Sequence, residues 1–293
     1  MMNRICIFLI TLGLVTSVSA PLFSQLELPR KSPRAKTANT IGYTEIEIVY
    51  SSPAVNGRAV WGEMVPYDQV WRAGANEATT ISVSTDLTIE GGVLPQGKYS
   101  FFLIATEGET WTAIFNKVPD QWGAYQYDES QDALRIPVEV KTLANPEERL
   151  SFSVVEQDRD LGYIRFAWEK KVIYLRFQTD LLAMVQHKIE DATAKSPAED
   201  HWKIYAQAAD YLTDSDRYTD WALSFANQST ELFSHSSNWW TKARLEAKKG
   251  DYKAAVESAN KAAEVGQSNS DDQFYSGSKD RIDKMVSEWK TKL

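Results

Sequence analysis

Tyr43-Thr44-Glu45-Ile46-Glu47-Ile48-Val49-Tyr50 is the stretch that decides the fold class. Ile46, Ile48 and Tyr50 fall on one face and Glu45 and Glu47 on the other, the period of two expected of a half-buried strand. Thr80-Ile81-Ser82-Val83-Ser84 alternates in the same way. Outward from these lie Leu87 to Glu90, Tyr99 to Ala105, Trp111 to Phe115, Leu134 to Val140, Leu150 to Val155, Tyr163 to Trp168 and Val172 to Phe177. All are short runs rich in β-branched and aromatic residues. Gly91-Gly92, Pro95-Gln96-Gly97, Val118-Pro119-Asp120 and Asn145-Pro146 read as turns between them, and Lys170-Lys171 reads as a hairpin turn. About ten short strands with no intervening helix predict an antiparallel β-sandwich or barrel over residues 25–179.

From residue 180 to 293 helix formers take over and the period shifts to that of a helix. Tyr218 and Tyr252 are 34 residues apart, and the same offset relates Asp216 to Gly250, Trp221 to Ala255, Phe225 to Ala259 and Tyr205 to Trp239. The second copy resembles a tetratricopeptide repeat: Trp239, Trp240 and Ala243 in a first helix, Gly250-Asp251-Tyr252 at the turn, Ala255, Ala259 and Ala262 in a second. The first copy is degenerate, with Trp221 and Phe225 at small-residue positions. Asp272 to Leu293 reads as a capping helix and Ser196-Pro197 as a hinge. The chain as a whole is therefore predicted to be α+β, a sandwich followed by a tetratricopeptide-like region. Trp202, Trp221, Trp239 and Trp240 read as helix core, and a concave helical surface suits a protein or peptide partner. Two repeats are too few to stand alone, so the helices are expected to pack on the sandwich.

Met1 to Arg4 carries one positive charge, Ile5 to Val18 is apolar, and Ser17-Val18-Ser19-Ala20 is small. This is the pattern of a signal peptide over residues 1–24, cut near Ala20 or Ser24, and it predicts export to the periplasm or beyond, with no membrane span afterwards. Removing it takes away Arg4 and the sole Cys, Cys6, so the remaining chain is more acidic than the formal net charge of −8 and has no disulfide to form. That charge argues against nucleic acid as a partner.

The densest motif runs Gly57-Arg58, Trp61-Gly62, Val65-Pro66-Tyr67, then Val70-Trp71-Arg72-Ala73-Gly74-Ala75-Asn76-Glu77-Ala78-Thr79. Together with Ser32-Pro33, Tyr50-Ser51-Ser52-Pro53, Leu94-Pro95-Gln96-Gly97-Lys98-Tyr99, Asn116, Trp122-Gly123-Ala124-Tyr125-Gln126-Tyr127, Asp132 and Arg135, it resembles the bacterial domain of unknown function 2911 over about residues 30–180. The resemblance implies a secreted protein of a Bacteroidetes-type bacterium, often with C-terminal helical repeats, and carries over no catalytic residue.

Two readings of the motif stand side by side. In one, Trp61, Trp71, Trp122 and Tyr125 wall a cleft for a sugar or another polar ring, and Arg58, Arg72, Asn76, Glu77, Asn116 and Arg135 supply hydrogen bonds. In the other, Arg72 with Glu77 and Arg135 with Asp132 form a buried network that only ties loops to the sandwich. A hydrolase acting on carbohydrate or envelope material would use Glu77 and Asp132 as acid and base. A binding or scaffold protein without catalysis is preferred, and a purely structural envelope protein is the third reading.

Other chemistries are set aside. Residues 1–186 contain no His, which removes a Ser-His-Asp triad and a His-based zinc site from the sandwich. Gly92 to Lys98 mimics a phosphate-binding loop, but Tyr99 stands where Ser or Thr is required, so the stretch reads as a hairpin. Asp120, Asp128 and Asp132 match no calcium-loop spacing. No metal and no cofactor is expected.

Overall fold

The computed structural model describes residues 28–293, and the signal peptide expected over residues 1–24 lies outside the described residues. Residues 28–31 have no strand or helix, and Ser32–Leu293 form one compact unit. Ten strands come first: β1 (Arg34–Ile41), β2 (Thr44–Ser51), β3 (Val70–Trp71), β4 (Thr79–Val83), β5 (Leu87–Ile89), β6 (Gly92–Leu94), β7 (Gly97–Ile104), β8 (Thr110–Asn116), β9 (Asp132–Asp158) and β10 (Leu161–Thr179). They make one antiparallel sheet in the order β1-β2-β4-β7-β8-β9-β10-β5-β6, with β3 paired to β7.

The alternation in Tyr43 to Tyr50 appears as expected: Ile46 and Ile48 are fully buried and Glu45 is exposed. The hairpin that leads into it turns at Gly42, whose φ is +59° and where a Cβ would meet the Arg159 carbonyl oxygen at 2.9 Å. An L-residue is disfavoured there both by conformation and by contact.

The sheet folds back on itself because β9 changes partner along its length. Asp132 to Glu139 pair with β8, and Val140 to Asp158 pair with β10. Two layers result, and their inner faces meet in a single core. Ile46, Ile81, Phe101, Trp111 and Phe115 come from one layer, and Phe152, Ile164, Phe166, Trp168 and Phe177 from the other.

Three turn readings are corrected. Asn145-Pro146 and Lys170-Lys171 do not separate strands; they lie inside β9 and β10. Thr142 pairs with Lys171 and Glu147 with Glu169, so residues 143–146 face Lys170 alone. Pro146 has no N–H to give a ladder, and Glu169 takes a φ of +52°, so both signals mark a bulge that bends a continuous ribbon. Gly92 to Lys98 is not a hairpin either. The hairpin is β5–β6, turning on Glu90 and Gly91, and the following residues carry the chain across into β7, which pairs with β4. Asp86 Oδ1 fixes that crossing by accepting the Gln96 N–H at 2.7 Å.

Six helices follow: α1 (Leu181–Lys195), α2 (His201–Leu212), α3 (Thr219–Leu232), α4 (Ser236–Lys248), α5 (Tyr252–Ser268) and α6 (Gln273–Lys290). The offset of 34 residues maps helix on helix, Tyr205 in α2 to Trp239 in α4 and Trp221 in α3 to Ala255 in α5. Ala243, Ala255, Ala259 and Ala262 are wholly buried, which lets α4 and α5 approach closely. Trp240 is buried and stacks on Trp289 of α6 at 5.7 Å. Trp202 and Trp239 are half-buried, whereas Trp221 is exposed and does not belong to the core.

The helices dock on the β9–β10 turn. Asp160 is fully buried and accepts a hydrogen bond from Tyr218 Oη at 2.7 Å while Arg217 Nη1 lies at 2.9 Å. Asp158 accepts from Ser215 Oγ at 3.0 Å, and the Arg159 guanidinium lies 4.6 Å from the Tyr211 ring centroid. Tyr218→Phe leaves one buried carboxylate oxygen short of a donor, with an expected cost of about 1–3 kcal/mol. The check is a lower urea midpoint with an unchanged slope.

Glu246 in α4 is 8% exposed, with Oε2 lacking a hydrogen-bond partner among the described residues. Burial pushes its pKa up; Ser258 and Lys242 oppose the shift, and Asp251 and Glu257 add to it. A carboxyl whose pKa is higher folded than unfolded holds its proton longer in the fold. Stability is therefore lost as the pH rises from the ordinary carboxylate range through the raised value. Thermal melts of Glu246→Gln are expected to lie above those of the parent at neutral pH and to converge with them in acid.

Candidate functional site

The outer face of the first layer carries a row of directly opposed residues: Lys36, Val49, Thr80, Ser100 and Asn116. Arg34 and Ser51 form the neighbouring pair on that face. The middle of the row is short and polar, and the loop of residues 117–123 folds down over it. Ser100 Oγ donates to the Val118 carbonyl at 2.8 Å. Asn116 Oδ1 accepts from Val118 N at 3.1 Å and from Gln121 Nε2 at 3.2 Å. The Ala78 N–H reaches the Gln121 carbonyl at 2.9 Å, Gly123 N reaches the Asn76 carbonyl at 3.1 Å, and Glu77 bridges to Trp122.

Between loop and sheet an open cleft of about 330 Å³ remains. Arg34, Tyr50, Ser51, Glu77, Thr80, Lys98, Asp120, Gln121 and Trp122 line it. Trp122 is 58% exposed and Glu77 half-buried, so the cleft offers an aromatic face beside charges of both signs.

The site residues expected from sequence divide into several groups. Glu77 and Trp122 meet at the cleft. Trp61 and Trp71 do not line it; they pack in the core with Trp111 and Trp168, Trp71 stacking on Trp168 at 5.8 Å. Arg58 serves its own turn, donating to the Ala54 and Val55 carbonyls. Arg72 makes no ion pair with Glu77; burial lowers its pKa, and nearby Tyr125 works in the opposite direction. Tyr125 is exposed, and Asn76 holds a φ of +58° that presents its carbonyl to Gly123.

Asn116 is a loop anchor. Its Nδ2 donates to the Asp128 carbonyl and to Asp132 Oδ1, both at 2.9 Å, and it is fully buried. Asp132 Oδ2 accepts from Tyr127 Oη at 2.7 Å and faces Arg135 at 3.4 Å. Burial and that carboxylate push the Tyr127 pKa well up. Asp132 is thus committed on both oxygens and does not line the cleft, so the structure does not gather Glu77 and Asp132 there. Asp128 caps a short helical turn and Asp120 faces Lys98 at 3.8 Å. Among the described residues no three His, Cys, Asp or Glu side chains cluster as metal ligands.

Arg34 and Lys98 were not candidates from sequence. Lys98 ends the stretch that mimics a phosphate loop, a signal set aside with that motif; Arg34 sits at a strand start with no local pattern.

Residues 32–177 match the family model described as protein of unknown function, DUF2911. The sheet domain is a DUF2911 domain. No curated protein matches the chain, and no solved structure does. Four stretches that carry the resemblance, Tyr50-Ser51, Glu77-Ala78, Lys98 and Trp122, come together at the cleft of the DUF2911 domain.

Asn116→Ala strips the loop of its buried partner and is expected to cost at least about 1–3 kcal/mol. Trp122→Ala, at an exposed ring, is expected to change stability by less than about 0.5 kcal/mol. Denaturant melts of the two variants provide the comparison.

Proposed function

We propose that this chain is an exported, non-catalytic binding protein whose DUF2911 domain takes a small polar ligand, of sugar type, in the cleft beneath residues 117–123. The observation that carries the reading is the convergence of four separate motif stretches on one concave site with an exposed indole face. A fold that needed these residues only for stability would not have to bring them to an open cleft. The cleft volume lies at the small end of the range for small-molecule sites.

The helical region then serves as a tetratricopeptide-like arm for a protein partner, supported by the 34-residue offset and the buried alanines where α4 meets α5. Export rests on the charged, apolar and small segments of residues 1–24, and a periplasmic or extracellular address follows from it. Among the described residues no helix is long and apolar enough to cross a membrane. The two-carboxylate hydrolase finds less support, because Asp132 is consumed by Asn116, Tyr127 and Arg135.

The test is a panel of monosaccharides and small polar metabolites screened against the full chain by saturation-transfer NMR. At least one class of polar ring compound is expected to bind and to shift the Trp fluorescence, and Trp122→Ala is expected to abolish both signals without loss of fold. Binding that survives Trp122→Ala unchanged sinks the assignment of this cleft.

A further inference from the structure

We infer that the cleft is shaped for an acidic sugar, a pyranose ring bearing a carboxylate; this rests on the reading of the cleft as a polar-ligand site. The starting observation is a charge that the fold leaves unbalanced. Arg34 lines the cleft and makes no ion pair and no side-chain hydrogen bond among the described residues. Lys98 has only Asp120, at 3.8 Å, with the two side chains 50% and 90% exposed. A pair so exposed is worth little, although Asp120 is itself part of the cleft lining. Glu77, the other acid on the lining, is already engaged by the protein. Arg34 therefore remains to meet an anion, with Lys98 held only by an exposed pair.

The setting makes this specific. The chain carries a formal net charge of −8, so its average field repels anions. A concavity whose lining sets Arg34 and Lys98 against Glu77 and Asp120, and so is locally neutral, is an exception to that field. The guanidinium of Arg34, on β1 opposite Ser51, presents a planar fork that takes both oxygens of a carboxylate, while Lys98, on β7 opposite Ser82, lies across the cleft and adds a donor to the rest of the ring. On the other wall, Trp122 offers an open ring face to the apolar side of a sugar ring. Thr80 and Ser51 on the sheet and the Gln121 side of the loop are short polar groups within the same lining, suited to hydroxyls. A carboxylate at one end, hydroxyls around the rim and a flat apolar face together describe a uronic acid residue. A volume of about 330 Å³ leaves no room for a folded partner.

Titration calorimetry of the full chain at fixed ionic strength, with glucuronic and galacturonic acid beside neutral glucose and galactose, decides the matter. The acids are expected to bind at least about tenfold tighter than the neutral sugars. Arg34→Gln and Lys98→Gln, with melting temperatures kept, are expected to bring the acids down to the neutral level, and Trp122→Ala to weaken both classes. Equal binding of acids and neutral sugars, with Arg34→Gln silent, overturns the inference and leaves the polar-ligand reading standing. Citrate or glutamate binding as tightly as the uronic acids removes the sugar from it. Failure of every sugar and carboxylate overturns both.

Discussion

Four indole rings fix where the rest of the sheet domain sits. Trp168 comes from β10 in one layer, Trp111 from β8 in the other, and Trp61 and Trp71 from the segment between β2 and β4. Trp61 lies 4.6 Å from Trp111 and 5.9 Å from Trp168, and Trp71 stacks on Trp168 at 5.8 Å with an interplanar angle of 17°. Both layers and the intervening segment are thus tied at one place. Each such pair adds about 0.5–1.5 kcal/mol beyond the burial of its area. Direction follows from the pleat: because Trp71 points inward, Val70 points outward and packs with Phe102, Ile114 and Tyr127. The same inward anchor sets the path of the chain through Ala73 and Asn76 to Glu77, at the cleft. The tryptophans of the motif therefore act on the site from behind, by placing the backbone that forms its wall.

A second constraint is polar. Asn116 uses both amide protons and its carbonyl oxygen, joining residues 118, 121, 128 and 132 around one buried side chain. An amide in that position cannot be exchanged for an apolar group without leaving several partners unmet. Its consequence is a loop held in place by the fold itself. Ordering a loop on binding costs free energy, so a loop already held at residues 78, 100 and 116 spends less of the interaction on itself. The backbone of residues 117–123 and the exposed Trp122 ring are accordingly preformed parts of the cleft.

Much of the fold was legible because its strands have one wet and one dry face. Ile46 and Ile48 against Glu45 is a pattern that only a half-buried strand explains, and the 34-residue offset maps α2 onto α4 and α3 onto α5. The errors came where the same residues serve two purposes. Asn145-Pro146 and Lys170-Lys171 have turn chemistry, and a bulge uses that chemistry inside a strand. Trp61, Trp71 and Asn116 have ligand-site chemistry, and a core cluster and a loop anchor use it for packing; composition alone cannot separate the uses, since what differs is the direction of the side chain. Arg34 failed to register for the opposite reason. Its importance comes from strands that lie far along the chain and bring it opposite Ser51, and no local pattern carries that.

The helical region illustrates how one part of a chain can finish another. A helical hairpin exposes an apolar face at each end of its stack, and two hairpins leave the fraction of exposed ends high. Here the far end is closed by α6, whose Trp289 stacks on Trp240 and whose Tyr275 packs against α5 at Gly266. The near end is closed by α1 and by the β9–β10 turn. Leu181 and Val185 of α1 join Leu212, Phe225 and Leu245 in one cluster. Asp160 then fixes the angle of the stack, because a fully buried carboxylate tolerates few arrangements of Tyr218 and Arg217. The sheet domain thus closes the near end of the helical stack, and Ser32–Leu293 hold together as one compact unit.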